Sequence, residues 1–434
     1  MSPGRALTNW KYGSTSRQTQ HPHVELTIDI PDDLETSMQD DFCIYSVPPT
    51  LRQIYPEAYT QVISIGPIHY GKQKLQAMQI QKLRYLKEFC KRKMLKVNKS
   101  SSDHDEIKEK EIEREFSTDL LNEINVEEMR RCYADNFEFC STEFVNMILL
   151  DSVFILELFM RHHKDSKNQK DFVLGKPWLR TDVQQDLVLL ENQLPFSSLE
   201  KLYNFAKPNF VNEKDYPSLL ELTVIISPIS SPRIPKYRTL RKCYISLIYI
   251  GSLYSITKLH QAGLKLKPAQ NKCFLEIGFE PGITCLWRAE LQFPCFEVDD
   301  TTEFVVRNLM ALEQCHYPYE TYICNYIRLW DLLIDTAEDV DLLVEKKNLV
   351  NGLGDGATVA NLVNKLCNQI AEVQSCYYPL SKDLNEYYEH CGNQTMAILR
   401  KVYFGDLWRG TGTVAAVLLL ILTIIQAACS ILQL

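Results

Sequence analysis

Two short stretches of the chain hold the residue types that acid–base chemistry needs. The turn from Gly66 to Gly71 carries His69, whose imidazole can act as a general base or a metal ligand. The triplet Glu191-Asn192-Gln193 follows an apolar run and sets a carboxylate beside two amides, which can orient a general acid or base. An enzyme hypothesis therefore requires His69, Glu191 and Asn192 to converge in one cleft.

Both stretches also have a structural interpretation, which the sequence favours. No second metal ligand stands near His69, so a structural turn is the simpler hypothesis. The triplet lies just before Pro195, where polar side chains can satisfy the last carbonyls of a helix that begins near Asp182. We therefore predict no catalytic, cofactor-binding or metal-binding residue.

Other candidate motifs are weaker. His162 and His163 end a predicted helix, where cations suit the negative end of the helix dipole. The glycine-rich stretch 352–356 lacks the spacing of a dinucleotide-binding loop and is predicted to link two helices. Cys315 and His316 are neighbours on a predicted helix, so their side chains diverge and cannot pair as nucleophile and base.

Composition narrows the function classes. The net charge is -8 and no dense basic run occurs, which argues against a nucleic-acid partner because phosphates require clustered Lys and Arg. The 14 cysteines include no Cys-x-x-Cys pair, and most lie in apolar stretches. We interpret most of them as reduced core residues.

The segment 410–434 contains no charged residue and is predicted to be a transmembrane helix that binds membrane lipid. About 22 helical residues span ~33 Å, enough for a hydrocarbon layer of ~30 Å. Arg400, Lys401 and Arg409 precede the segment and nothing basic follows it, so the preceding domain is predicted to be cytosolic. Glycosylation sequons at Asn98 and Asn393 oppose this orientation.

The remaining chain is predicted to be mainly α with a small β-sheet (α+β), forming one large helix-rich domain. Residues 1–41 are polar and are predicted to be a disordered N-terminal tail, and the domain covers 42–403. Within the domain, 98–117 is predicted to be an exposed charged loop and 208–235 an irregular insertion. Two or three strands are predicted within 274–298. Helices are predicted at 72–94, 136–163, 182–194, 301–315, 319–335, 336–346, 357–370 and 382–403.

A family resemblance is carried by short stretches spread over the domain and by the C-terminal anchor; the stretches are 43–48, 59–71, 150–159, 186–196, 259–263, 307–316 and 335–340. They resemble a plant protein family, the domain of unknown function 247, also called uncharacterised protein family 0481. The chain departs from the family pattern at two positions: it has the single His69 where two His are frequent, and Ser152 where Gly is frequent. The stretch 208–256 matches the family poorly.

The resemblance implies a single-pass protein, at the plasma membrane, with no established enzymatic activity. Some grass members of the family are implicated as pollen-side determinants of self-incompatibility. The leading hypothesis is therefore a membrane-anchored recognition or signalling protein without catalytic activity, which binds a protein partner of unknown identity. The alternatives are an enzyme with an unrecognised site near His69, Glu191 and Asn192, and a passive membrane scaffold.

Overall fold

The computed structural model describes most of the chain between residues 42 and 432. The described residues are 42–59, 61–97, 125–164, 170–206, 217–226, 250–269, 275–282, 289–370, 374–403 and 407–432. The predicted tail 1–41 and the predicted charged loop 98–117 lie outside these ranges, as does most of 208–256.

Helices dominate the described residues, as the sequence predicts. The α-helices are α1 (Pro49–Ile54), α2 (Gln76–Val97), α3 (Val126–Arg131), α4 (Ser141–Lys164), α5 (Pro177–Asp186), α6 (Phe196–Ala206), α7 (Leu219–Ile226), α8 (Ile256–Gln261), α9 (Thr302–His316), α10 (Tyr322–Leu333), α11 (Ala337–Glu345), α12 (Gly356–Leu366), α13 (Tyr378–Glu389), α14 (Cys391–Tyr403) and α15 (Leu407–Leu432).

Two small sheets complete the domain and confirm the α+β class. Strands β1 (Lys265–Pro268), β2 (Gly278–Glu280) and β3 (Glu290–Phe293) form one sheet in the order β1-β3-β2, with β1 parallel and β2 antiparallel to β3. Strands β4 (Phe296–Val298) and β5 (Leu349–Asn351) pair in parallel. The predicted strand region 274–298 thus contains β2, β3 and β4, whereas β1 and β5 lie outside it and were not predicted.

The buried apolar side chains form two large clusters. The first lies between residues 44 and 222 and surrounds α4. The second lies between 250 and 384 and includes α10, whose Trp330 is 1% exposed. A third, small cluster contains Val47 and Leu190 from the first half and Ala311 from the second. The two halves therefore share one apolar contact region.

Helix α4 is a core helix, as its charges predict. It has 24 residues, and 15 of them, from Phe144 to Met160, are buried. Asp151 and Glu157 are among those buried residues, with exposed fractions of 2% and 0%. Carboxylates that are buried in an apolar helix need charged or hydrogen-bonding partners inside the domain.

Three predicted elements differ from the structure. The predicted helix 182–194 is wrong, because α5 ends at Asp186 and the chain continues in turns. The predicted helix 382–403 is two helices that meet at His390. The predicted irregular insertion contains α7, whose Leu222 is buried and whose start is capped by a reciprocal pair: Ser218 Oγ accepts from Glu221 N, and Glu221 Oε2 accepts from Ser218 N.

Candidate functional site

A buried polar cluster holds the N-terminal segment of the domain, residues 42–71, against α4 and the turn 187–195. We call it the anchor cluster and define it as Asp151, Asp186, Glu191 and Asn192 with their partners His69 and Lys82. These six residues are between 1% and 5% exposed. Each element supplies few of them, so the cluster exists only when the segment, α2, α4 and the turn have assembled.

Glu191 is the centre of one part of the anchor cluster. Its Oε1 accepts from the backbone N–H of Val47 at 2.7 Å and from the guanidinium of Arg52. Its Oε2 lies 2.8 Å from His69 Nε2. Burial alone would raise the pKa of Glu191, but His69, Arg52 and the Val47 amide stabilise its charge and lower the pKa to about 2.

Asp186 and Asn192 bind the next residues of the segment. Asp186 Oδ2 accepts from the backbone N–H of Val62 at 2.6 Å and of Ile63 at 2.7 Å. Asn192 Oδ1 accepts from Ile65 N at 2.5 Å. Burial raises the pKa of Asp186 to about 7, although the two amides act in the opposite direction.

Asp151 and Lys82 form a buried ion pair between α4 and α2. Lys82 Nζ donates to Asp151 Oδ1 and to the carbonyl of Ser64. Asp151 Oδ2 accepts from the backbone N–H of Gly66 at 2.8 Å. Burial raises the pKa of Asp151, while Lys82 and the Gly66 amide oppose that effect.

Gly66 has φ +72°, and a Cβ there would lie 2.7 Å from the carbonyl oxygen of Gln193. Both the conformation and the close approach require glycine.

The turn 187–195 owes its shape to its own amides. Asn192 Nδ2 donates to the carbonyl of Asp186 at 3.0 Å. Gln193 Nε2 donates to the carbonyls of Leu187 and Leu189 at 2.9 and 2.7 Å. These side chains satisfy carbonyls that a continuing helix would have satisfied, which explains why α5 ends eight residues earlier than the predicted helix.

His69, Glu191 and Asn192 are therefore neighbours, but they face different partners. Asn192 binds Ile65 and Asp186, whereas Glu191 binds Val47, Arg52 and His69. Lys72 Nζ lies 2.5 Å from the other ring nitrogen of His69. A carboxylate with a pKa near 2 is a poor proton acceptor at neutral pH. The geometry thus supports the structural interpretation of both stretches.

Sequence reasoning missed Lys82, Asp151 and Asp186 as members of this cluster. A signal for Asp151 was present, because one carboxylate inside an apolar helix must find a partner. Lys82 gave no signal, since lysines are common on helices that face solvent.

The second half of the domain uses buried carboxylates in the same way. Glu313 accepts from the first backbone N–H groups of α10, Ile323 at 2.8 Å and Cys324 at 2.9 Å. Burial raises the pKa of Glu313 to about 7, although those amides oppose it. Asp339 completes a capping box with Thr336 and also accepts from Thr257 N at 3.0 Å.

The other sequence candidates occupy separate places. His162 and His163 lie in the last turn of α4, as predicted, and burial lowers the pKa of His162. His316 Nδ1 lies 2.9 Å from the hydroxyl of Tyr45. The glycine-rich stretch links β5 to α12, so it follows a short strand instead of the predicted helix.

No group of three or more His, Cys, Asp or Glu side chains with the arrangement of a metal site occurs among the described residues.

The thiols of Cys43 and Cys132 are hydrogen-bonded at the start of the N-terminal segment. The backbone N–H groups of Cys43 and Ile44 both donate to the carbonyl of Cys132 at 2.9 Å, and Ile44 pairs with Tyr133 in a parallel bridge. The Cys132 side chain hydrogen-bonds to the Cys43 thiol and lowers its pKa to about 7, against the effect of burial. Cys43 is exposed to solvent.

Helix α15 has a different character from the rest of the chain. Its section Thr411–Ile431 has 21 residues, a mean hydropathy of 2.6 and no side chain buried inside the domain. It is the one described helix that is long and apolar enough to cross a membrane by length and composition.

The sequence places the chain in a plant family. The profile of the family DUF247, described as "Plant protein of unknown function", matches residues 44–236 and 219–422. The chain therefore belongs to this family, as the resemblance predicted. The two matches overlap over residues 219–236, a stretch that begins where the first core cluster ends and stops before the second cluster starts at Ile250.

Curated relatives agree with this assignment. A UPF0481 protein of Arabidopsis thaliana is 25% identical over 443 residues, covering 92% of this chain and 88% of the relative. A putative UPF0481 protein of the same plant is 28% identical over 173 residues, covering 40% of this chain and 32% of the relative. No solved structure matches the chain.

Proposed function

We propose that this protein is a single-pass, membrane-anchored recognition or signalling protein whose folded domain binds a protein partner and carries out no catalysis. The observation that carries the proposal is α15, because its uncharged section Thr411–Ile431 leaves every large apolar side chain outside the domain. Such a surface is unfavourable in water and favourable in a bilayer.

The charges beside α15 support a cytosolic domain. Lys401 and Arg409 flank the start of the helix, on the side of the folded domain. Arg400 is less free to act as a membrane-facing charge, because its guanidinium donates to the carbonyls of His260 and Gln261. The orientation therefore depends mainly on Lys401 and Arg409.

The anchor cluster supports a non-catalytic role. Its carboxylates and amides bind backbone groups of the N-terminal segment and are shielded from solvent. A general acid or base needs access to a substrate proton, and these side chains already have partners within the fold.

The narrower form of the proposal is a pollen-side determinant of self-incompatibility, by analogy with grass relatives of the family. Specificity would then reside in segments that match the family pattern poorly, such as 208–256. Transcript profiling tests this form: we expect expression in pollen, and expression confined to leaf and root would contradict it.

Alkaline carbonate extraction of membranes tests whether α15 spans the membrane. We expect the full chain to stay in the pellet. The double change Leu420→Arg and Ile424→Arg puts two charges at the centre of the span, each costing about 3 kcal/mol, and should release the chain. The matched control is Leu220→Arg on α7, where the side chain is 63% exposed in the folded domain. Release of the wild-type chain would contradict the proposal.

Chemical cross-linking in native membranes separates recognition from passive scaffolding. A recognition protein should give a discrete adduct with a defined partner protein. A passive scaffold should give only diffuse, concentration-dependent adducts.

A further inference from the structure

Helix α14 contacts the domain through one side only. Ala397 is 5% exposed, and Arg400 Nη1 donates to the carbonyls of His260 and Gln261 at 3.1 and 3.2 Å. Asn393 Nδ2 donates to the carbonyl of Tyr387 at 2.8 Å. These contacts fix the rotation of α14 about its axis.

The opposite side of α14 presents large apolar residues to the outside. Ile398, Leu399 and Val402 are 57%, 41% and 49% exposed. With 3.6 residues per turn, these three positions point away from the side that Ala397 and Arg400 share. We call them the outward stripe. Single exposed apolar residues are ordinary on a protein surface, but a row of them on one short helix marks a contact surface.

The chain itself brings the outward stripe close to the membrane. Only residues 404–406 separate α14 from α15. Three residues span at most ~10 Å, so the end of α14 cannot lie far from the start of the apolar helix. One further helical turn, ~6 Å long, precedes Thr411, where the apolar section begins. The interfacial layer of a bilayer adds ~5–8 Å on each side of the hydrocarbon, so the end of α14 lies within reach of its edge.

We propose that the outward stripe of α14 rests on the bilayer surface, with Ile398, Leu399 and Val402 inserted among the lipid headgroups. This inference rests on the proposed membrane anchor and adds a second lipid contact to it. An amphipathic helix binds an interface through its apolar side while the rest stays in water. Here that other side is the folded domain.

The contact has a consequence for recognition. Because Arg400 ties α14 to the backbone of α8, a lipid-bound outward stripe gives the domain one orientation on the membrane. The surface beside α8 and α14 faces the lipid, and the distal surface faces the partner. A domain on a loose tether would present all surfaces equally.

Photo-cross-linking of the purified full chain in phosphatidylcholine–phosphatidylserine vesicles tests the proposal. The photoreactive amino acid benzoylphenylalanine replaces Leu399 in one variant and Val402 in a second. Leu220 on α7, which is 63% exposed, is the matched control position. Leu420, within the apolar section, is the positive control. Each variant is used only if its thermal midpoint matches that of the unmodified chain.

We expect lipid adducts at 399 and 402 to exceed those at 220 several-fold. Equal yields at 399, 402 and 220 would overturn the proposal, and so would an adduct that joins two copies of the chain instead of chain and lipid. If position 420 gives lipid adducts and positions 399 and 402 do not, the inference about α14 is wrong but α15 is still a membrane helix. If position 420 also gives no lipid adduct, the proposed membrane helix α15 is wrong as well.

Discussion

The buried ion pair between Lys82 and Asp151 offers the sharpest test of the anchor cluster. The two side chains are 1% and 3% exposed. The change Asp151→Leu leaves the Lys82 ammonium buried with only the Ser64 carbonyl as partner and leaves the Gly66 amide without its acceptor. Breaking a buried pair by removing one partner costs about 3–5 kcal/mol, so we expect a loss of about 4 kcal/mol in the free energy of unfolding.

The double variant Lys82→Met with Asp151→Leu distinguishes the interaction between the two charges from the effect of losing each side chain. Replacing both charges by apolar residues of similar size is often nearly neutral, because no uncompensated charge remains. We therefore expect the double variant to recover most of the loss, which gives a large coupling energy in a double-mutant cycle. The single variant Lys82→Met should cost less at acidic pH than at neutral pH, since burial already raises the pKa of Asp151 and a protonated carboxyl needs no cation.

Pulse proteolysis in urea, applied to the full chain in detergent, measures these free energies. The control is Glu386→Gln, which removes an exposed pair with Lys382 whose side chains are 58% and 64% exposed, worth at most about 0.5 kcal/mol. An Asp151→Leu loss no greater than that of Glu386→Gln would refute the structural role of the buried pair.

Three further changes test other contacts. Burial raises the pKa of Asp186 to about 7, so the folded state holds a proton that the unfolded state releases above pH ~4. The free energy of unfolding should therefore fall as the pH rises from ~4 to about 7. In urea titrations, Asp186→Asn should remove up to ~1.4 kcal/mol per pH unit of that slope. Gly66→Ala should cost about 2 kcal/mol more than Gly71→Ala, because both have positive φ but only Gly66 meets backbone, and equal losses would contradict this. Hydrogen peroxide should join Cys43 and Cys132 in a disulfide, because the two thiols can give up two hydrogens while peroxide is reduced to water. Mass spectrometry should find the linked peptides in the wild type and in the control variant Cys140→Ser. Absence of the linked peptides would refute the pairing.

The sequence predicted elements best where periodicity and length agreed. Helices α4 and α15 are long and strongly apolar, and both were found. The end of α5 was missed because Asn192 and Gln193 bind carbonyls of their own turn, and a propensity argument cannot see which side-chain contact replaces a helical one. The start of α7 was missed although Ser218 and Glu221 have capping-box spacing, because the surrounding prolines dominated the interpretation.

The candidate site was only partly predictable for a related reason. His69, Glu191 and Asn192 stood out by residue type, and the structure makes them neighbours. Two of their partners, Val47 and Ile65, contribute backbone amides from a distant segment. Every residue carries such an amide, so the sequence cannot indicate which ones a buried carboxylate will bind.

A glycosylation acceptor tag added after Leu434 tests the central claim, a single membrane crossing with the domain in the cytosol. After expression in cells, a glycosidase-sensitive mobility shift reports which side each acceptor occupies. We expect the added tag to be glycosylated and Asn98 and Asn393 to remain unmodified, which matched Asn→Gln variants of each sequon can verify. Glycosylation of Asn98 or Asn393 while the tag stays unmodified would contradict the cytosolic orientation. A chain that is not glycosylated and that alkaline carbonate releases from the membrane would contradict the membrane crossing.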